Sequence, residues 1–180
     1  MSVEVTSAVE ADLPELTDVA ARTFPLACPP SATPTDVATF IAENLSTARF
    51  REYLADPGRM VLTARADVAS EGRMLGYAML IRGVADDADV QRAVAPRPAV
   101  ELSKVYVLPD DHGSGVAAAL MATAIERSHG LDAVCIWLGV NRENQRAQRF
   151  YAKHGFQVTG TKTFRLGEHV ANDYVMVRSL

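Results

Sequence analysis

Apolar and polar residues along the 180-residue chain change period several times, and each change marks an element. Residues 3–9 alternate as a half-buried strand does. Residues 11–24 then carry Leu13, Leu16, Val19, Ala20 and Thr23 at helical spacing, with Pro14 in the first turn, where its missing N–H is harmless. The prolines at 25, 29, 30 and 34 predict a loop, after which Thr35 is expected to cap a helix reaching residue 45. A short helix is expected over 47–54, ended by Asp56-Pro57-Gly58. Two antiparallel strands follow, 59–66 and 74–82, joined through a Glu71-Gly72 turn. Residues 83–98 are acidic and irregular, with Asp86, Asp87 and Asp89 ahead of Pro96 and Pro98, and read as a surface loop.

The second half is more regular. Residues 100–108 alternate as a strand and stop at Pro109, and Gly113-Ser114-Gly115 opens a small-residue helix to about residue 129. Residues 133–140 are apolar with almost no alternation, as in a strand buried on both faces. A helix over 143–154 presents Ala147, Phe150, Tyr151 and His154 on one face, and two strands, 157–164 and 171–177, flank a turn at Gly167. Strands that alternate with single helices imply an α/β (α+β) class with a mixed sheet and a parallel section. The length is that of one domain, 1–180.

Composition narrows the partners. Eighteen Lys and Arg against 22 Asp and Glu give a net charge of −4, with no basic cluster, which argues against nucleic acid or an anionic membrane. The longest apolar run, 116–122, is far short of the ~18 residues a membrane span needs. The first residues lack the basic and apolar regions of a signal peptide, so a cytoplasmic location is expected. Cys28 and Cys135 read as unpaired thiols. No Cys or His spacing, His129, His154 and His169 included, is that of a metal site, so no metal is expected. Oligomeric state is left open, a homodimer included.

Two segments carry chemistry. His112-Gly113-Ser114-Gly115-Val116-Ala117 lies between a strand and a helix, where backbone N–H groups and the helix dipole hold phosphate oxygens. It is neither a Walker A motif nor a dinucleotide fingerprint, and on pattern alone a plain tight turn stands beside the pyrophosphate cradle. The second segment runs from Asn141 to Phe156, a strand exit and helix closed by Gly155. With these two pieces the chain resembles the GNAT family of N-acetyltransferases. His112, Gly115 and Ala117 match the cofactor loop Gln/Arg-x-x-Gly-x-Gly/Ala. Asn144, Ala147, Phe150, Tyr151, Lys153, Gly155 and Phe156 match Asn-x-x-Ala-x-x-Phe-Tyr-x-Lys-x-Gly-Phe. Within that family Glu101–Val107, Ile136–Val140 and Asp173–Met176 are similar to PaiA-type polyamine acetyltransferases.

The resemblance implies a central mixed sheet of about seven strands with a splayed parallel pair, flanked by about four helices. Acetyl-CoA would lie between strands 105–108 and 133–140. Backbone groups of Val105, Tyr106 and Val107 would follow the pantetheine arm as a sheet edge follows an added strand. The N–H groups of Gly113, Ser114, Gly115, Val116 and Ala117 would hold the pyrophosphate, Asn144 the pantetheine, and the Val107 N–H the thioester oxygen. His112 stands where the family carries Arg or Gln. With Ser114 it leaves the loop short of fixed charge, so CoA binding is expected to strengthen when His112 is protonated.

Glu101 is the candidate base, acting through water, and Tyr151 the candidate acid for the departing thiolate, in direct attack without Cys135. Each has a plainer reading: Glu101 as a solvent-facing strand residue, Tyr151 as core filler, Asn144 as a helix cap. The acceptor implied is a primary amine, polyamine-like or another small amine, which the acidic 83–98 segment would suit. A protein N-terminus, a lysine or an antibiotic amine is the alternative, and a CoA-binding sensor without turnover is the rival from another class. Acid near the acceptor mouth and local Arg or Lys facing CoA are expected.

Overall fold

The computed structural model describes residues 2–66 and 72–180. Its elements are β1 (Val3–Ser7), α1 (Leu13–Ala27), α2 (Pro34–Asn44), α3 (Thr47–Ala55), β2 (Arg59–Ala66), β3 (Met74–Arg82) and α4 (Ala88–Ala93). There follow β4 (Ala99–Val107), α5 (Val116–Gly130), β5 (Cys135–Asn141), α6 (Gln145–Lys153), β6 (Gln157–Leu166) and β7 (His169–Ser179). The seven strands form one mixed sheet in the order β1-β2-β3-β4-β5-β7-β6, with β4 and β5 its parallel pair. One face packs on α5 and α6 through Val116, Leu120, Met121 and Ala124; the other packs on α1–α3 through Leu13, Leu16, Phe24 and Phe50. Among the described residues no helix is long and apolar enough to cross a membrane.

Three expectations are corrected. The first helix runs through Pro25 to Ala27, because a proline in the last turn forgoes only one backbone bond. Thr33, not Thr35, caps α2: its Oγ1 accepts from the Asp36 N–H at 3.1 Å, with Pro34 in the first helical position. The segment 83–98 is not all loop. Asp87 accepts from the Asp89 and Val90 N–H groups at 2.8 and 3.2 Å, and α4 then seals Val90 and Val94 inside. Six residues are too few to show a period; among the described residues there are six α-helices, where about four were expected. Glu71 lies outside the described residues; Gly72 beside it has φ +63°.

The feature that positions the site is where β4 and β5 part. They pair only over Ala99–Glu101 against Cys135–Trp137. Immediately beyond, Leu80 opposes Leu102 while Met79 opposes Lys104, so Ser103 is an extra residue, a β-bulge. The bulge shifts the side-chain phase: Glu101 and Lys104, three apart, share the face of Ile81 and Met79, while Val105 and Val107 join the opposite core.

Candidate active site

Past the bulge β4 presents an unpaired edge to the gap. The Leu108 N–H bonds the Leu75 carbonyl on β3 at 2.8 Å, so by alternation the N–H and C=O of Val107, and of Val105 two residues back, point into the gap. Both were expected to follow the pantetheine. The Val107 carbonyl, however, is already engaged by His112 Nε2 at 2.8 Å. What remains at Val107 is its N–H, the expected oxyanion donor.

His112 also shows that the loop is not short of charge. Arg146, projecting from α6, stands 3.1 Å from His112 Nδ1. Arginine only donates, so Nδ1 accepts and Nε2 carries the proton given to Val107. Arg146 thus sets a fixed positive charge beside the loop. Sequence reasoning missed Arg146 because 34 positions separate it from His112 and nothing local marks its reach.

The loop itself fits a diphosphate. Gly113 and Gly115 have φ +79° and +89°; no atom lies within 4 Å of a Cβ built at either, so it is the backbone conformation that requires glycine. Among the described residues the Gly113, Gly115, Val116 and Ala117 N–H groups have no backbone acceptor, whereas the Ser114 N–H bonds the Asp111 carbonyl at 3.3 Å, as its hydroxyl does too. Four of the five predicted amides are thus free. Buried Asp111 anchors the loop to the start of β3 through two bonds from Arg73, both 3.1 Å.

Helix α6 brings in the other predicted residues. Asn144 is its cap, Oδ1 accepting from the Ala147 N–H at 3.1 Å, which leaves the amide Nδ2 for a ligand. Tyr151 packs between Phe150 and Phe156, ring centroids 5.6 and 5.9 Å away, and burial pushes its phenol up to about 12. Tyr106, on the opposite face of β4 beside Tyr77, is pushed up mainly by burial and further by the charge of Tyr151. By the same alternation the Tyr106 backbone pairs with β3, so what Tyr106 can offer a ligand is its side chain. Glu101 sits at the last paired position of β4 beside Trp137, half-buried rather than solvent-facing. Burial raises its carboxyl, against the opposing pull of Lys162, Lys104 and Arg59.

The remaining predicted groups serve structure. Of the acids of 83–98, Asp87 caps α4 and Asp89 pairs with Arg92. Cys28 is half-buried and pushed up to about 11 by burial; buried Cys135 is also raised, its Sγ against the Pro96 carbonyl at 3.4 Å. Neither is poised as a thiolate nucleophile. A cleft of about 250 Å³ lined by Arg82, Arg97 and Leu131 lies at the other end of the sheet from the gap. Among the described residues no group of three or more His, Cys, Asp or Glu could hold a metal ion.

Residues 16–156 match the profile of the Acetyltransferase (GNAT) family. An uncharacterized N-acetyltransferase of Mycobacterium tuberculosis is 58% identical over 169 residues, 94% of this chain and 98% of that protein. The crystal structure of the PaiA N-acetyltransferase of Thermoplasma acidophilum in complex with coenzyme A superposes with a TM-score of 0.76 at 20% identity over the whole of both chains. A ribosomal-protein-alanine N-acetyltransferase of Brucella melitensis gives 0.63 at 23% identity, covering 98% of this chain and 99% of that one.

Proposed function

Since the chain belongs to the GNAT family of acetyltransferases, we propose that it moves the acetyl group of acetyl-CoA to a primary amine of a small molecule by direct attack, within a single domain spanning 1–180. Acetyl-CoA supplies an activated thioester; everything else falls to the residues of the gap. The observation that carries the reading is the β4 edge freed by the Ser103 bulge, with the amides of Gly113, Gly115, Val116 and Ala117 at one end and Glu101 at the other. Those amides, with Arg146, suit the diphosphate; the Val105 backbone and Asn144 Nδ2 suit the pantetheine.

At pH 7 only about one alkyl ammonium in a few thousand is neutral. Glu101, its carboxyl raised by burial, is placed to take the surplus proton, through water. The Val107 N–H donates to the oxygen on which charge develops, and Tyr151 protonates the leaving thiolate. The finer expectation of a PaiA-type polyamine enzyme draws only on fold likeness to the Thermoplasma protein. The decisive experiment is thiol release from acetyl-CoA across a panel of amino acids, polyamines, aminoglycosides and peptides. Release with a small amine supports the reading; binding of acetyl-CoA with no release from any amine refutes it in favour of a sensor.

A further inference from the structure

The face of the sheet opposite α5 and α6 carries, beside Glu101, charges that the reaction scheme above does not use. Glu101 and Lys104 are brought to one face by the bulge. Lys162 on β6 lies across Gly139 of β5, where a Cβ would run into its Cε, and its Nζ is 3.7 Å from Asp173 Oδ2, both side chains being largely buried. Arg59 on β2 pairs with Asp56 at 3.2 Å and stacks on Tyr53.

Each cation but one therefore has its carboxylate. Among the described residues Lys104 and Glu101 make no side-chain hydrogen bond and no ion pair within 4.0 Å, with each other or with anything else, yet each still feels the other's charge. A half-buried acid and base on one face of the sheet that do not touch form an incomplete pair, and burial of unpaired charge is unfavourable. A ligand bearing both signs completes it. Two pleats of strand set the Cα atoms of Glu101 and Lys104 ~7 Å apart. An α-amino acid, its charges ~3 Å apart with a hydrogen bond of ~2.9 Å at either end, spans ~9 Å, a reach that flexible glutamate and lysine side chains accommodate.

Resting on the acetyltransferase reading, we propose that the acceptor is a zwitterion, a primary amine with a carboxylate a few bonds away as in an amino acid, its ammonium set against Glu101 and its carboxylate against Lys104. The ammonium is thereby delivered to the base. A polyamine would instead set a second ammonium among Lys104, Lys162 and Arg59, and two of the three acids of 83–98 that were expected to attract it, Asp87 and Asp89, are engaged in a cap and an ion pair. The lowering of Lys104 to about 8 by burial accords with a cation awaiting its counter-charge.

The test compares kcat/KM by thiol release for free amino acids, their carboxamides, the amines lacking the carboxylate, and spermidine. The free acids should exceed their carboxamides at least tenfold. In Lys104→Met and Lys104→Gln that ratio should fall toward one, chiefly through KM for the acid, while the acetyl-CoA Kd from calorimetry stays within twofold and thermal melting confirms folding. Thiol release that favours carboxamides or spermidine, or a preference for acids that survives in both variants, overturns the zwitterion and leaves the acetyltransferase standing. No release from any amine overturns both.

Discussion

Replacing Tyr151 by Phe removes one oxygen from a ring held between Phe150 and Phe156, so packing is retained and the effect isolates the proton. Burial holds the phenol at about 12. An ordinary thiol near 8.5 is ~3.5 pH units more acidic, so full transfer from this phenol to a solvated thiolate is uphill by ~5 kcal/mol. That is too much for a fast step. In the same apolar cleft the nascent thiolate is desolvated too, and its own proton affinity rises in parallel, which narrows the gap as the C–S bond breaks. Acid assistance of this kind is typically worth ~10²- to 10⁴-fold, and the residual mismatch places Tyr151→Phe at the lower end, a ~10- to 1000-fold loss in kcat, ~1.4–4 kcal/mol. Thiol release under saturating acetyl-CoA measures kcat, and calorimetry should find the acetyl-CoA Kd within about twofold. The height of the phenol adds a second readout: no falling limb from Tyr151 should appear below about pH 10. Unchanged kcat in the variant refutes the acid role, and an alkaline limb near pH 9 that vanishes in Tyr151→Phe refutes the burial argument.

A raised carboxyl must lose its proton to act as a base, so kcat/KM should climb with pH through a range above that of an ordinary glutamate, and Glu101→Gln should cut kcat ~10²-fold or more and flatten the limb. Arg146→Ala removes the fixed charge beside His112 and should raise the acetyl-CoA Kd ~3- to 10-fold and reduce its salt dependence; an unchanged Kd would detach Arg146 from the diphosphate. Arg73→Met leaves buried Asp111 without its two donors, and because Arg73 is itself half-exposed the expected destabilisation is ~2 kcal/mol, a Tm lower by ~4–8 °C by calorimetry. Lys104, held at about 8 in the fold and higher when unfolded, penalises folding fully below pH 8 and not at all above the ordinary lysine range. Lys104→Met should therefore raise Tm at pH 7 by a few degrees, with the gain fading toward pH 10.5.

Legibility followed the length of the signal. The long periodic elements, α1, α5, β4 and β5, needed only their own residues to be read, and so did the glycine loop, because a positive φ at Gly113 and Gly115 leaves a chemical mark. Helix α4 left no period in six residues, and the cap of α2 fell to the threonine before a proline rather than the one after it. The bulge was written in the chain and passed over. Apolar positions in β4 fall at 100 and 102, then at 105 and 107, and that single three-residue step is Ser103. Read so, it would have placed Glu101 and Lys104 side by side. Lys162, Asp173 and Arg146 had no such mark: their positions depend on β6, β7 and α6 converging on the gap, which is tertiary information.

The same bulge resolves how a protein of net charge −4 receives a polyanionic donor. Because β4 changes phase at Ser103, its two faces present different chemistry to the two sides of the gap. Toward α5 and α6 lie Val105, Val107, helix-end amides and Arg146, and buried Asp111 is clasped by Arg73. Toward α1–α3 lie Glu101, Lys104, Lys162 and Asp173. Coulomb interactions at effective dielectric ~20 fall to ~1 kcal/mol only beyond ~15 Å, so charges a few ångströms from a ligand outweigh the diffuse surplus of acid spread over the exterior. Net charge is thus a poor guide to either ligand here. On the proposed scheme, one extra residue in one strand sets Arg146 and the loop amides on one side of the thioester and the unpaired acid and base on the other.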